Sequence, residues 1–333
     1  MHNVDIVIVT YNAKAKLGRC IRSIRKNTRH IPYTLTIVDN HCTDGTSDFL
    51  KSLGDMKIIT SRKNLGFSGG ANLALKATSA KYIALVDDDA EVTQNWLKKL
   101  YHQINQRPDI GIVGCKIIFP DRMIFCAEIE LSPGYCHAMG HGERDNRQRD
   151  YIKTVDAVCG ACWLMRRGVI KKIGFFDEQF FPCKYEDCDY CLRATRAGFQ
   201  VVYEGKVSII HHNLNRDGKS KIKALTKNRR LFMRKWKNLK DFAATQEHLG
   251  GGIDNGSSKN KYYLSRAVES VRDKNYGRAV KHLRDAIRFD PYNLAASYYL
   301  AMIYKKTGQL DKAKTEAYKS LAIFDHPLLG SME

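Results

Sequence analysis

Between residues 4 and 119 the chain alternates short β-branched runs with longer amphipathic stretches, and no other feature limits its fold as strongly. The runs are Val4–Thr10, Tyr33–Asp39, Met56–Thr60, Lys81–Val86 and Ile110–Phe119. Antiparallel strands can be joined by a two-residue turn, whereas parallel strands need a crossover that is usually helical. Spacings of this kind therefore predict an α/β domain with a mostly parallel, helix-covered central sheet. Ligands on such sheets bind outside the carboxyl ends of the strands. Polar residues stand at three of those ends: Thr10-Tyr11-Asn12, Asp39-Asn40 and Asp87-Asp88-Asp89. Their placement fits a nucleotide site.

A chain of 333 residues predicts one large domain and a smaller one. The α/β unit is read as residues 1–215, with loops and hairpins over 120–158 and regular structure returning at Thr154–Val158, a helix from Glu186 to Ala197 and a strand Val207–Ile210. Arg216 to Asp241 holds eleven Lys or Arg against two Asp, interleaved with Leu225, Leu231, Phe232, Met233 and Trp236. Residues 216–249 are thus expected to form a basic helical extension, either solvated or lying on an anionic membrane surface. Residues 250–258 have the Gly/Ser composition of a flexible linker. In 259–333 a period of 34 relates Tyr276 to Leu310, Ala279 to Ala313, Leu283 to Ala317 and Ile287 to Leu321. That segment resembles tetratricopeptide repeats, which implies a small all-α module. Two units fall short of the roughly three that stand alone, so the module is expected to pack on the α/β domain or on a protein partner.

A formal charge of +20 predicts acidic partners. Nucleic acid is set aside because no helix-turn-helix, finger or aromatic RNA-binding motif accompanies the charge. The N-terminus, Val4-Asp5-Ile6-Val7-Ile8-Val9, reads as a strand and not as a signal peptide, and no apolar run approaches the length of a membrane span. The expected location is the cytoplasm, with peripheral contact at the inner face of the membrane as an option. Ten cysteines in that setting are expected to stay reduced. Cys159-x-x-Cys162 and Cys188-x-x-Cys191 have a spacing that would suit zinc if the four thiols converged.

The chemistry concentrates in three places. In an extended Asp87-Asp88-Asp89, alternate side chains point the same way, so Asp87 and Asp89 form a pair of hard oxygen ligands suited to Mn²⁺ or Mg²⁺. Glu186 and Asp187 open a helical pattern and offer a carboxylate to accept a proton. His211, at a strand end, can add a nitrogen ligand to the same cation.

Taken in order, these segments resemble family 2 glycosyltransferases of the GT-A fold, in particular their rhamnosyltransferase-like branch. The matching residues are Ile8-Val9-Thr10-Tyr11-Asn12, Val38-Asp39-Asn40 with Thr43-Asp44-Gly45-Thr46, Asn64-Leu65-Gly66-Phe67 with Asn72, the acidic triplet, Gly160-Ala161-Cys162, Glu186-Asp187 and His211. The resemblance implies a nucleotide-sugar donor whose base and ribose meet Thr10, Tyr11, Asn12, Asp39 and Asn40, with Asp39 accepting from an imide N–H. It implies that Asn64, Gly66 and Asn72 border the nucleotide and that Asp87 and Asp88 approach its phosphates. It further implies metal ligation by Asp87, Asp89 and His211, acceptor contacts near Gly160, Ala161 and Trp163, and Asp187, with Glu186 beside it, as the base of an inverting displacement. This branch often has Asn-Pro-Asp where the chain has three Asp, which favours a UDP-sugar over TDP-rhamnose. The acceptor is a hydroxyl of a glycan, a glycolipid or a protein. A competing expectation is a transferase-like scaffold without activity that binds a protein through its repeats.

Overall fold

The computed structural model describes residues 3–132, 135–212, 218–236, 257–289 and 294–323. Along the chain run β1 Val4–Thr10, α1 Lys14–Asn27, β2 Tyr33–Asp39, α2 Thr46–Leu53, β3 Lys57–Thr60, α3 Gly66–Ala77, β4 Tyr82–Val86, β5 Ala90–Val92, α4 Trp96–Ile104 and β6 Ile110–Ile118. They continue with β7 Ile124–Cys126, β8 Ile129–Ser132, β9 Tyr135–Ala138, β10 Ile152–Thr154, β11 Cys162–Arg166, α5 Arg167–Ile173, α6 Glu186–Arg196, β12 Gln200–His211 and α7 Gly218–Lys235. Four helices close the described chain: α8 Ser257–Arg272, α9 Tyr276–Phe289, α10 Leu294–Lys306 and α11 Leu310–Ile323.

The α/β domain forms around one sheet in the order β10-β12-β6-β11-β4-β1-β2-β3. Its β4-β1-β2-β3 portion is wholly parallel, as the crossovers require. Residues Val4, Ile6, Val7 and Ile8 of β1 are all fully buried, the signature of a strand covered on both faces. Helix α1 covers it by burying Leu17, Cys20, Ile21 and Ile24, which share one face at a spacing of three or four.

Three features depart from the sequence expectation. Strand β11, which was not expected, lies antiparallel between β4 and β6, so β6 is not the direct neighbour of β4. Strand β12 starts at Gln200, seven residues before the expected Val207, and runs parallel to β6. Regular pairing near 154 is β10, Ile152–Thr154, and beyond it Ala157 makes only an isolated bridge to Ile129.

Residues 120–158 contain the expected hairpins, β7 against β6 and β8 against β9. The connection to β10 is anchored by Lys116, only 2% exposed, whose Nζ lies 2.8 Å from Asp145 and 2.5 Å from Asp150. A buried ammonium tolerates that position because two carboxylates meet it.

Helix α7 is neither a free solvated helix nor one presented whole to a surface, because Asn228, Phe232 and Trp236, one turn apart, are buried against the α/β domain. The Gly/Ser linker falls largely outside the described residues, and its last two positions, Ser257 and Ser258, already belong to α8. The repeat module packs around Leu264, Ala267, Ala279, Leu283, Ala296, Leu300 and Ala313. Ala279 and Ala313, related by the period of 34, are both fully buried. Their small side chains let neighbouring helices approach. The module meets the first domain at Tyr298, whose ring lies 5.5 Å from the Arg229 guanidinium of α7. Among the described residues no helix is long and apolar enough to cross a membrane.

Candidate active site

The parallel register sets Thr10 of β1 beside Asp39 of β2, and the shared strand ends form one rim. Below it, Thr10 is fully buried and its Oγ1 donates to Asp88 Oδ2 at 2.8 Å. Asp88 is itself 7% exposed. These two residues therefore form a buried brace between the end of β1 and the turn that follows β4. Tyr11, 38% exposed, and Asn12 remain at the surface of the rim. Asn12 adopts a left-handed backbone, φ 51°, and its Oδ1 accepts from Thr43 N at 2.7 Å.

Asp39 is buried, and its two oxygens accept from Cys42 N at 2.9 Å and from the Ser47 hydroxyl. Asn40 ties the rim to the segment before α3: its Nδ2 donates to Asn64 Oδ1 at 3.1 Å and to Gly66 O at 3.0 Å, and its Oδ1 accepts from Leu65 N at 2.9 Å. Gly66 has φ +68°, and a Cβ there would lie 2.6 Å from the Pro182 carbonyl oxygen, so only glycine fits. Asn72 is 3% exposed, and its amide is committed to Phe176 and Glu178. Asn40 and Asn72 thus shape the rim from behind.

The acidic triplet turns out of β4 into β5, whose antiparallel pairing with the end of β12 sets Ala90 opposite His211. The pairing brings His211 Nε2 to 2.8 Å from Asp89 Oδ1 and 3.5 Å from Asp87 Oδ2. Among the described residues these three form the one group of metal-ligating side chains, with all ligand atoms within 4.8 Å of one another. Two donors at right angles around a cation, each at about 2.1 Å, stand about 3 Å apart, so the spacing suits a small divalent ion. Two carboxylates and an imidazole match Mn²⁺ in kind. Burial pushes the His211 pKa down, but hydrogen bonds to Asp87 and Asp89 outweigh it and hold the imidazole at about 10. In that state a proton sits where a cation would go.

The backbone of Gly160-Ala161 joins this corner to α6. Asp87 N donates to Ala161 O at 2.9 Å, and Gly160 N donates to Asp187 Oδ2 at 3.0 Å. Asp187 Oδ1 accepts from Cys188 N at 2.8 Å. Glu186 is 8% exposed and its Oε2 finds no hydrogen-bond partner among the described residues. Burial first, then the nearby Asp187 charge, raises its pKa well above the usual carboxylate range. Adjacent carboxyl groups are thus set apart: Glu186 favours its neutral form, while Asp187 is held open by backbone N–H groups.

Trp163 was expected near an acceptor, but it is fully buried and packs on Phe176 and Tyr190. Strand β11 is covered on both faces, Cys162, Trp163, Leu164 and Met165 all being fully buried, so the indole lies in the core. The Cys-x-x-Cys spacings do not build a zinc site. Among the described residues the four thiols join no group able to hold a metal, the one such group being Asp87, Asp89 and His211. All ten cysteines are free.

A family model described as glycosyl transferase family 2 matches residues 5–174, more than half of the chain. The chain belongs to glycosyl transferase family 2. A tetratricopeptide repeat model matches residues 270–317. Among curated relatives, an O-antigen biosynthesis protein of Myxococcus xanthus is 28% identical over 63% of this chain and 17% of its own length. An uncharacterized protein of Sinorhizobium fredii is 26% identical over 63% of the chain and 24% of its own length. The N-acetylglucosaminyl-diphospho-decaprenol L-rhamnosyltransferase of Mycobacterium tuberculosis is 23% identical over 65% of the chain and 78% of its own length. The chain thus spans less than a quarter of the length of the first two of these relatives and most of the third.

Among solved structures, the mannosyltransferase of Pyrobaculum calidifontis in complex with GDP-Man and Mn²⁺ superposes over 96% of this chain and 87% of its own, with a TM-score of 0.53 at 15% identity. GalNAc-T7 with UDP, GalNAc and Mn²⁺ superposes over 63% of this chain and 43% of its own, again with a TM-score of 0.53 and 15% identity. These likenesses establish the GT-A fold for this glycosyltransferase. The α7 residues that hold α6 lie beyond the family match, and no local periodicity in the sequence marked Asn228.

Proposed function

We propose that this family 2 glycosyltransferase moves a sugar from a nucleoside diphosphate donor to an acceptor hydroxyl with inversion, using Asp187 as the proton acceptor. The observation that carries the reading is the shared dipeptide Gly160-Ala161, which hydrogen-bonds Asp187 on one side and Asp87 on the other. A base and a cation-binding corner on opposite flanks of one backbone segment suit a displacement in which the hydroxyl oxygen bonds to one face of the anomeric carbon as the diphosphate leaves from the other.

Asp87, Asp89 and His211 would hold Mn²⁺ or Mg²⁺, which supplies Lewis-acid neutralisation of the charge that grows on the leaving diphosphate. Asp187 Oδ2 accepts the hydroxyl proton, and the backbone N–H groups of Gly160 and Cys188 keep the carboxylate aimed. Asp39 faces the base and, with two donors already bound, selects an imide N–H over a further acceptor. That favours uracil or thymine, and the Asp87-Asp88-Asp89 run in place of Asn-Pro-Asp puts a UDP-sugar ahead of TDP-rhamnose. That the superposed mannosyltransferase and GalNAc-T7 were solved with Mn²⁺ and a nucleotide or nucleotide sugar supports a metal-dependent nucleotide-sugar reading.

The acceptor is read as a hydroxyl of a glycan or lipid-linked glycan, in line with the relatives' names, with a protein hydroxyl second because the repeats offer a protein-binding module. A screen of UDP-, TDP- and GDP-sugars with and without Mn²⁺, read as thermal shift and nucleotide release, tests the donor. The reading predicts Mn²⁺-dependent stabilisation and release with a UDP-sugar. Silence with every donor would favour a scaffold that binds protein through its repeats.

A further inference from the structure

Asp187 enters α6 from a loop that its own sequence does little to stabilise. Lys184 and Tyr185 are consecutive residues with φ of 88° and 73°, a region that side chains other than glycine rarely adopt. Tyr185 caps α6 without a side-chain hydrogen bond. The loop is therefore held from outside. On the donor side, Phe67 N donates to Pro182 O at 2.7 Å. On the far side, α7 and the residue after it lay four side chains against the loop and helix.

Asn228 is the first of these. It is fully buried, and its Nδ2 lies 2.9 Å from Phe180 O, 2.9 Å from Cys183 O and 3.3 Å from Lys184 O. Its Oδ1 finds no hydrogen-bond partner among the described residues. An amide buried with an idle acceptor contributes through its donors alone, and here two N–H groups gather three carbonyls of one loop. Phe232 then packs on the Tyr185 ring at 5.3 Å, and Trp236 Nε1 donates to Asp189 Oδ1 at 3.0 Å, two residues past the base. Lys235 Nζ reaches Asp189 as well, at 2.9 Å. All of these contacts come from outside residues 5–174, the segment that matches the family model.

We propose that Asn228 is a positioning residue for the transfer: by drawing the carbonyls of Phe180, Cys183 and Lys184 together it fixes the entry of α6 and so the aim of the Asp187 carboxylate. The inference rests on Asp187 being the proton acceptor. Misplacing a reacting group by about 1 Å costs on the order of 100-fold in rate, so a change at a residue that never meets substrate registers in kcat and not in donor binding.

Asn228→Leu keeps the shape and removes the donors. Asn228→Ser keeps one donor and serves if the first variant does not fold. Three quantities are read on the full-length protein: hydrogen exchange of the peptide covering 180–190, the stoichiometry and affinity of UDP with Mn²⁺, and UDP release from UDP-glucose and UDP-N-acetylglucosamine. Expected for Asn228→Leu are exchange in 180–190 at least tenfold faster with α1 unchanged, UDP affinity within twofold at full stoichiometry, and kcat about 100-fold lower with donor KM within threefold. Asn228→Ser is expected between this variant and the natural protein in both exchange and kcat. Unchanged exchange in 180–190 would overturn the proposal whatever the activity does. So would a kcat loss matched by an equal loss of UDP-binding sites, since that is unfolding rather than misalignment. If the natural protein releases no UDP from either donor, the functional reading is what fails, and the exchange measurement still decides whether Asn228 holds the loop.

Discussion

The cation corner and the base helix face each other across Gly160-Ala161, yet they are held by different means. Asp87, Asp89 and His211 are placed by backbone: β4 ends, β5 pairs with β12, and the register leaves Ala90 opposite His211. The Asp187 carboxylate is held by the backbone N–H groups of Gly160 and Cys188, but the start of its helix is packed by side chains from a distant one, Asn228, Phe232 and Trp236 reaching Phe180, Tyr185 and Asp189. The first arrangement is difficult to disturb with one substitution outside the ligands. The second has identifiable single points of failure. On the proposed function, the cation corner rests on main-chain pairing and the aim of the base on an added helix, the element that also touches the repeat module through Arg229 and Tyr298.

The largest effect is expected at the base. Asp187→Asn should lower transfer about 10³-fold, within the usual contribution of general base catalysis, as seen in steady-state UDP release. Glu186→Gln should do far less, because Glu186 is buried and favours its neutral form. Comparable losses from both substitutions would mean that the two carboxyls share the role.

The cation corner should respond in binding. His211→Ala is expected to weaken Mn²⁺-supported UDP binding about 10- to 100-fold, measured by calorimetric titration. An unchanged affinity would show that the two aspartates suffice.

Behind the rim, Thr10→Val removes the hydroxyl that donates to buried Asp88 and should cost about 1–3 kcal/mol in urea unfolding. No loss would mean that the brace between β1 and β4 is replaceable.

Glu186 gives a smaller, pH-dependent signal. Burial, then the charge of Asp187, raises its pKa above the ordinary 4.5, so the folded protein keeps a proton that the unfolded chain releases. Stability from this group therefore falls as pH rises past 4.5 towards the folded value. Glu186→Gln should unfold at the natural protein's temperature near pH 4 and at a higher one near pH 8. A gain largest at low pH would contradict the assignment.

The smallest effect is expected where the two modules touch. Tyr298→Ala removes the ring under Arg229 and should shift stability by about 0.5–1 kcal/mol with kcat within twofold.

The same contrast explains what the sequence made legible. β-branched periodicity revealed the parallel strands, and the three polar strand ends followed from them, because both depend on residues close in the chain. The acidic triplet was joined to His211 by ligand chemistry at strand ends and by resemblance, not by any local pattern, since the β5–β12 pairing that joins them spans more than a hundred residues. Strand β11 was missed because its antiparallel insertion between β4 and β6 is a choice of partners and leaves no local mark. Trp163 was placed near the acceptor by its neighbours in sequence, whereas it lies on a central strand buried on both faces. Asn228 sat within a run read for its charge, and what matters there is one uncharged amide.

The most direct test of the central claim is calorimetric titration of UDP with and without Mn²⁺, run in parallel on the natural protein, Asp187→Asn and Asp89→Asn, beside their transfer rates. The account predicts that Asp187→Asn binds UDP with Mn²⁺ as the natural protein does and transfers almost nothing, while Asp89→Asn loses the Mn²⁺-dependent part of the affinity. Equal loss of binding in both variants, or transfer by Asp187→Asn at the natural rate, would contradict it.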